Sequence, residues 1–368
     1  MMGNDNITAY QYLSMYSFNT DSYYAFGKTP VSVQSIYETV TANPLVTWET
    51  AKTWNIGFSS QFLNGKLGLD LDYFQSNRND ILITRNASIP TYSGLSLPAE
   101  NLGKVKNHGF EAIATYRDSK GDFEWGVTGN VTYAKNEVVY ADEAADTPAW
   151  QRETGHPIDG GTYYKALGIY QTQEQIESTP HLSGTKIGDL IYQDTNKDGN
   201  ITWDDAVRRD KSATPKWIFG LTLNGSWKGM DVNAFFQGQA DAEILVQPTM
   251  NMATDFYEGR WSESNTAEQN AAAKWPRAFM KASSVDNRNS QSSTWWLRDA
   301  SFVRLKSLEI GYTFPKTLIS PLGVEKLRLY VNGNNLFTID SVGIFDPEMT
   351  NGIRGYSLQR LSLIHISE

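Results

Sequence analysis

Cysteine is absent from all 368 residues. No disulfide can brace this chain, and no thiol can serve as nucleophile or soft-metal ligand. Long apolar runs are missing too; nothing approaches the ~18–20 consecutive residues that a membrane helix needs. Positive charge is in deficit. With 32 Lys+Arg against 41 Asp+Glu the net charge is -9, which argues against nucleic acid, whose phosphates demand basic patches. His108, His156, His181 and His365 show no zinc spacing, and no nucleophile elbow accompanies them. The opening Met1-Met2-Gly3-Asn4-Asp5 lacks the basic and then apolar regions of an export leader.

What is present is aromatic and glycine-rich: 11 Trp, 19 Tyr and 29 Gly. Mean hydropathy is -0.45. Such a balance suits a soluble all-β protein. It also suits a membrane β-barrel, whose strands alternate lipid-facing and lumen-facing residues and whose aromatic girdles mark the interfaces.

The dominant pattern has a period of two, the signature of strands. Trp54, Ile56, Phe58 and Phe62 alternate with Asn55, Ser59 and Gln61; Leu67, Leu69, Leu71 and Tyr73 with Gly68, Asp70 and Asp72. Between them Asn64-Gly65 is a strong hairpin signal. The pattern returns at Phe123–Tyr133, Trp217–Trp227, Met230–Phe236, Leu308–Phe314 and Leu327–Val331. Several runs reach the ~9–11 residues that cross a bilayer at a tilt, against ~5–6 for an average soluble strand. Their polar positions carry Asn, Thr, Ser and Gly, as a wet lumen requires.

Connection lengths alternate. Short links at 64–65, 118–121, 228–229 and 316–324 are interleaved with long ones at 84–103, 141–215, 246–294 and 338–353. Outer-membrane barrels have short periplasmic turns and long extracellular loops. The alternation predicts about nine crossing strands, near 47–63, 66–82, 104–117, 122–139, 216–228, 229–245, 297–315, 325–337 and from 354 onward. Thr162–Gln171 also reads as a strand, but a crossing there would invert every later strand. It is therefore expected inside the long loop 141–215.

Asp194-Thr195-Asn196-Lys197-Asp198-Gly199-Asn200 through Asp205 fits an EF-hand-like calcium loop. Asp194, Asn196 and Asp198 take positions one, three and five, Gly199 the sharp turn, Asn200 a carbonyl, and Asp205 the last position, where Glu is usual. An acidic Asx-turn loop without metal is the alternative. Trp295-Trp296, where a strand meets a long loop, reads as an interfacial anchor. Sugar stacking is the other role open to Trp295, and to Tyr163, Tyr164, Tyr257 and Trp261 in predicted extracellular loops.

Several stretches, in order, resemble one family. Asn43-Pro44-Leu45-Val46-Thr47-Trp48-Glu49, Leu297-Arg298-Asp299-Ala300-Ser301-Phe302-Val303-Arg304-Leu305-Lys306, Ile310-Gly311-Tyr312-Thr313-Phe314-Pro315, Val331–Thr338, Asp346-Pro347-Glu348 and Tyr356–Arg360 are similar to motifs of SusC/RagA-type TonB-linked receptors. The resemblance implies an all-β fold: an antiparallel transmembrane barrel of about 22 strands holding a plug, of which this chain would be part. Residues 1–45 would be an extracellular loop and partial strand region, 46–360 the C-terminal part of the barrel, and 361–368 an atypical, non-native-looking tail. It further implies a Gram-negative outer-membrane location, no enzymatic activity, and import of oligosaccharides or peptides. The implied partners are a SusD-like surface lipoprotein and the TonB–ExbB–ExbD complex, the latter acting through a plug region outside this chain. The alternatives are a soluble carbohydrate-binding β-domain, with the apolar faces packed on one another, and a β-rich glycoside hydrolase, with two carboxyls converging at ~5–10 Å.

Overall fold

The computed structural model describes residues 10, 12–19, 23–26, 29–32, 35–85, 98–246, 253–278, 288–343, 346–348 and 363–367. Near the N-terminus β1 (Met15–Asn19) pairs with β4 (Ser35–Val40), and β2 (Tyr23–Phe26) with β3 (Thr29–Ser32). Four long strands follow: β5 (Thr50–Phe62), β6 (Leu67–Thr84), β7 (Ala99–Lys120) and β8 (Phe123–Tyr140). A long connection then carries β9 (Thr162–Tyr163), β10 (Ala166–Ile169), α1 (Gln173–Ser178), β11 (Leu190–Tyr192) and β12 (Val207–Arg208). The hairpin β13 (Trp217–Trp227) and β14 (Met230–Ala240) comes next. A second long connection holds β15 (Glu243–Leu245), α2 (Ala253–Gly259), α3 (Ala267–Ala271) and β16 (Leu297–Asp299). The chain continues through β17 (Phe302–Thr313), α4 (Lys316–Ile319), β18 (Arg328–Asp340) and β19 (Leu363–Ser367).

Nine of these strands form one sheet in the order β19-β18-β17-β14-β13-β8-β7-β6-β5. This is the number the alternating connections demand. Thr162–Gln171 stays out of that sheet: β9 pairs with β12 and β10 with β11, so strand parity holds. Two predicted strands are shorter than expected. The strand expected over 229–245 ends at Ala240, because Asp241 turns the backbone with φ +59. The strand expected from Leu297 begins at Phe302; the Asp299 carboxylate accepts from Ser301 N at 2.9 Å and bends the chain there. The severed ends pair with each other as β15 and β16. The ninth strand was expected from residue 354; residues 349–362 lie outside the described set, and the backbone of β19 pairs with β18 at Tyr330–Asn334.

The β13–β14 turn shows why the hairpins form. Lys228 and Gly229 both have positive φ, +49 and +88, the type I′ geometry that matches strand twist. A Cβ on Gly229 would sit 2.6 Å from the Thr313 carbonyl, so glycine is required by space as well as by conformation. At the β5–β6 turn the expected Asn64-Gly65 pair is widened, with Leu63, Asn64 and Gly65 all at positive φ.

By contacts the chain divides into two compact units, Met1–Asn55 with Phe74–His108 and Asn136–Ile158, and Ile56–Tyr73 with Gly109–Lys135 and Asp159–Glu368. In the first, the Asn-Pro strand entry is pinned by its own side chains. The buried Asn43 donates to Ala99 O at 2.7 Å and accepts from Leu45 N at 3.0 Å. Asn101 bridges Thr47 O at 2.9 Å and Asp80 O at 2.7 Å, and Glu49 pairs with Arg78 at 2.9 Å.

In the second unit, β13 sets the register. Leu221 stands opposite Gly129 and Phe236, and Leu223 opposite Val127 and Ala234. Leu71, Leu221, Leu223, Val232, Ile310, Leu329 and Val331 are all exposed, and Leu67, Leu69 and Val127 are only half-buried. The soluble alternative needed these residues enclosed by a second layer, and their exposure overturns it.

Candidate functional site

Two surfaces carry the chemistry: the wall strands and the module built on the long connections. The odd-even pattern separates the wall into two faces. On the apolar face aromatic rings gather at both strand ends. Phe110, Tyr133 and Trp217 cluster with centroids 4.6–5.9 Å apart. At the turn end Tyr116 meets Trp125 at 5.3 Å and Tyr312 meets Phe314 at 5.0 Å. Trp217 and Trp227 bracket β13. Ten steps of ~3.4 Å at a tilt of ~35–45° separate them by about 25 Å in height, the thickness of a barrel's apolar band.

The opposite face is polar. Thr128, Asn130, Thr222, Asn224, Asp231 and Asn233 follow one another across β8, β13 and β14. Thr115 and Thr128 hydroxyls lie 3.3 Å apart. Arg328 donates to Asp231 at 2.5 Å and to Glu309 at 2.6 Å, tying three strands together at the turn end.

Near the other end of β17 two motifs singled out separately meet. Arg304, 2% exposed, donates to Asp346 at 2.6 Å, Glu348 at 2.5 Å and Thr338 at 2.8 Å. Lys306 also reaches Glu348 at 2.6 Å. Burial pushes the Asp346 carboxyl upward, but its bonds from Arg304 and from Glu348 N outweigh this and hold it below the usual carboxylate range.

The module from 159–215 and 241–301 has its own core: Tyr164, Ile169, Leu190, Tyr192, Ile201, Ala206, Trp261, Trp275 and Trp296. Trp296 is fully buried, stacks on Trp275 at 5.7 Å and 12°, and donates its indole N–H to Asn289 O at 2.8 Å. The interfacial-anchor reading of Trp296 is therefore corrected. Burying a Trp removes roughly 150–250 Å² from water, about 4–6 kcal/mol at ~25 cal/mol/Å², which outweighs the gain from lying at an interface. Beneath this core Asp189, fully buried, pairs with Arg277 at 2.6 Å and accepts from Asn289 Nδ2 at 2.8 Å and Lys186 N at 2.8 Å.

The sequence-predicted aromatic residues scatter. Tyr164 and Trp261 are buried in the core, 6% and 8% exposed, so packing occupies their rings. Trp295 packs against the same core and is half-buried. Tyr163 is half-buried; burial first and the Glu243 charge second push its phenol up, against Arg209. Tyr257 alone of the five is exposed, with the Arg260 guanidinium 3.7 Å over its ring.

The acidic loop is held by its own backbone. Asp194 accepts from Lys197 N at 2.7 Å and Gly199 N at 2.9 Å, Asn196 from Asp198 N at 2.9 Å, and Asp198 from Asn200 N at 2.7 Å. Asp205, buried, accepts from Thr195 N, Asn196 N and Thr202 N at 2.8–3.2 Å. The donor set is all oxygen, as calcium requires. Yet both Asp205 oxygens are engaged, and no group of three or more His, Cys, Asp or Glu among the described residues is arranged around an ion.

Sequence reasoning missed the Asp189–Arg277–Asn289 network and the Arg304 cluster. Buried charges so far apart in sequence give no periodic signal, although both halves of the Arg304 cluster sit in motifs already conspicuous as strings.

Comparison with known proteins fits this geometry. The chain matches the family profile described as TonB dependent receptor-like, beta-barrel over residues 8–336. TonB-dependent receptor P3 of Formosa agariphila is 29% identical over 94% of this chain and 35% of its own length. TonB-dependent receptor SusC of Bacteroides thetaiotaomicron is 25% identical over 95% of this chain and 34% of its length. The structure of the RagAB peptide importer in the open-open state superposes with a TM-score of 0.66 at 21% identity, covering 98% of this chain and 38% of that one. The chain thus spans about a third of the length of the curated relatives it matches. An amphipathic nine-stranded wall and this match over most of the sequence lead to one statement: the chain belongs to the TonB-dependent receptor β-barrel family, whose members are Gram-negative outer-membrane proteins and not enzymes.

Proposed function

We propose that the whole receptor containing this chain imports oligosaccharides or peptides. One observation carries the reading: the wall is apolar and exposed on one face and lined with Asn, Thr and Ser on the other, a path suited to polar solutes. On the same reading a SusD-like surface lipoprotein covers the end where the long connections lie, and the TonB–ExbB–ExbD complex supplies energy through a plug region of the longer protein. The similarity to SusC and to a protein described as a peptide importer supports this assignment. The Asp194–Asp205 loop is proposed as a weak calcium site, on its oxygen donors and the Gly199 turn at φ +84.

The test is deletion and complementation of the gene for the whole receptor, with uptake of labelled oligosaccharides and peptides measured in cells. Loss of uptake of one class, restored by the gene, is expected. Unchanged uptake of every class would count against import.

A further inference from the structure

The module holds a cavity of about 600 Å³ between α2 and α3, and its lining is unlike the rest of this acidic chain. Arg260 and Lys274 both line it, and neither forms an ion pair among the described residues; Glu258 contributes one carboxylate. The two cations are brought together by backbone. Lys274 N and Trp275 N donate to Gly259 O at 2.9 and 3.2 Å, and Trp261 N donates to Trp275 O at 2.9 Å. Asn265 Nδ2 fixes the Arg260 carbonyl at 3.0 Å. The Arg260 guanidinium carbon lies 3.7 Å from the centre of the exposed Tyr257 ring, and the guanidinium bonds the Tyr257 carbonyl. Trp275, which also lines the cavity, is itself immobilised by stacking on Trp296. Behind it lies a third cation, Arg298, 5.2 Å from the Trp275 ring and bonded to the carbonyls of Trp295 and Leu297.

A preorganised planar guanidinium beside an ammonium, in a cavity large enough for one or two residues or sugar rings, suits a carboxylate. We propose that this cavity binds the carboxylate of the imported substrate, a peptide C-terminus or a uronic acid, with Arg260 gripping the two oxygens and Lys274 adding charge. This rests on the import reading for its physiological meaning, but not for its measurement.

The experiment is calorimetric titration of the whole receptor in detergent with four probes: N-acetyl-trialanine, N-acetyl-trialanine amide, trigalacturonic acid and its neutral trigalactose counterpart. At least one acid is expected to bind about tenfold more tightly than its neutral partner, the worth of a charge-assisted hydrogen bond pair. Which acid does so identifies the source of the carboxylate. Arg260→Gln should erase the preference, and Glu258→Gln should strengthen binding of that acid. A thermal melt of each variant matching the parent shows that folding is intact. Equal binding of acid and neutral probes, no binding by any probe, or an unaltered preference in Arg260→Gln would overturn the proposal. Uptake that fails while the acid preference persists would count against import and leave the site standing.

Discussion

The wall and the module draw on the same aromatic-rich composition and put it to opposite use. In the wall Trp54, Trp125 and Trp227 are exposed, at 44%, 37% and 54%. In the module Trp261, Trp275 and Trp296 are buried together. The wall closes its hydrogen bonds strand to strand and leaves its apolar face for lipid, where no water competes. The module stands outside the span of the sheet, where only a water-excluding core and buried pairs can order so much chain. An aromatic residue in this chain therefore has no fixed meaning until its segment is known to be strand or long connection.

Substitutions can break that contrast. The largest effects are expected in the module. Trp296→Ala removes a filled core position and should cost about 3–5 kcal/mol. Arg277→Met strands the buried Asp189 charge and should cost about as much. Limited proteolysis of 241–301 should rise in both, while the heat-modifiable electrophoretic mobility of the whole receptor's barrel stays unchanged. A lost mobility shift would show that wall and module do not fold separately.

The wall has its own paired test on neighbouring residues. Leu221→Arg places a charge mid-strand on the lipid face and should cost about 2–4 kcal/mol in assembly. Thr222→Arg, one residue on, points to the polar face; it should assemble normally and alter ion permeation in planar bilayers. Equal assembly defects in the two would contradict the assignment of faces.

A smaller effect is tied to acid. The Asp346 carboxyl is held below its ordinary range, so its bond to Arg304 stabilises the fold above the unfolded value of ~3.9 and is lost as pH falls through the lower folded value. Amide protection at 346 and 348, corrected for the intrinsic pH dependence of exchange, should be flat between about pH 5 and 8 and fall only below about pH 4. Asp346→Asn should abolish that acid step; its persistence would place the titrating group elsewhere.

The smallest effect concerns calcium. Titration of the whole receptor should give a dissociation constant of about 10⁻⁴–10⁻³ M, as in extracellular modules. Asp194→Asn should weaken it, and heat release identical in the variant would remove the loop as the site.

Much of the wall was legible because a strand's period is local. Alternation from Trp54 to Val331 located eight strands within a few residues of their ends, and the lengths of the links located the turns. Thr162–Gln171 was kept out of the sheet by parity alone. The breaks at Asp241 and Asp299 were not legible, since each depends on one backbone angle or one short side-chain bond. The candidate site was less legible still. Tyr257 was singled out with four other loop rings as open to sugar stacking, but Arg260, Lys274 and Trp275 were not, because what makes them a cavity is the bridge between segments rather than any spacing.

Sequence by itself determined the two-faced strands, their turns and the family, because alternation and glycine-bearing turns act over a few residues. Tertiary structure alone decided which tryptophans became core, which charges were buried as pairs at Asp189 and Arg304, and which cations were left facing a cavity. Those outcomes depend on residues such as 189 and 277, or 304 and 348, meeting across many positions, and no local pattern encodes that contact.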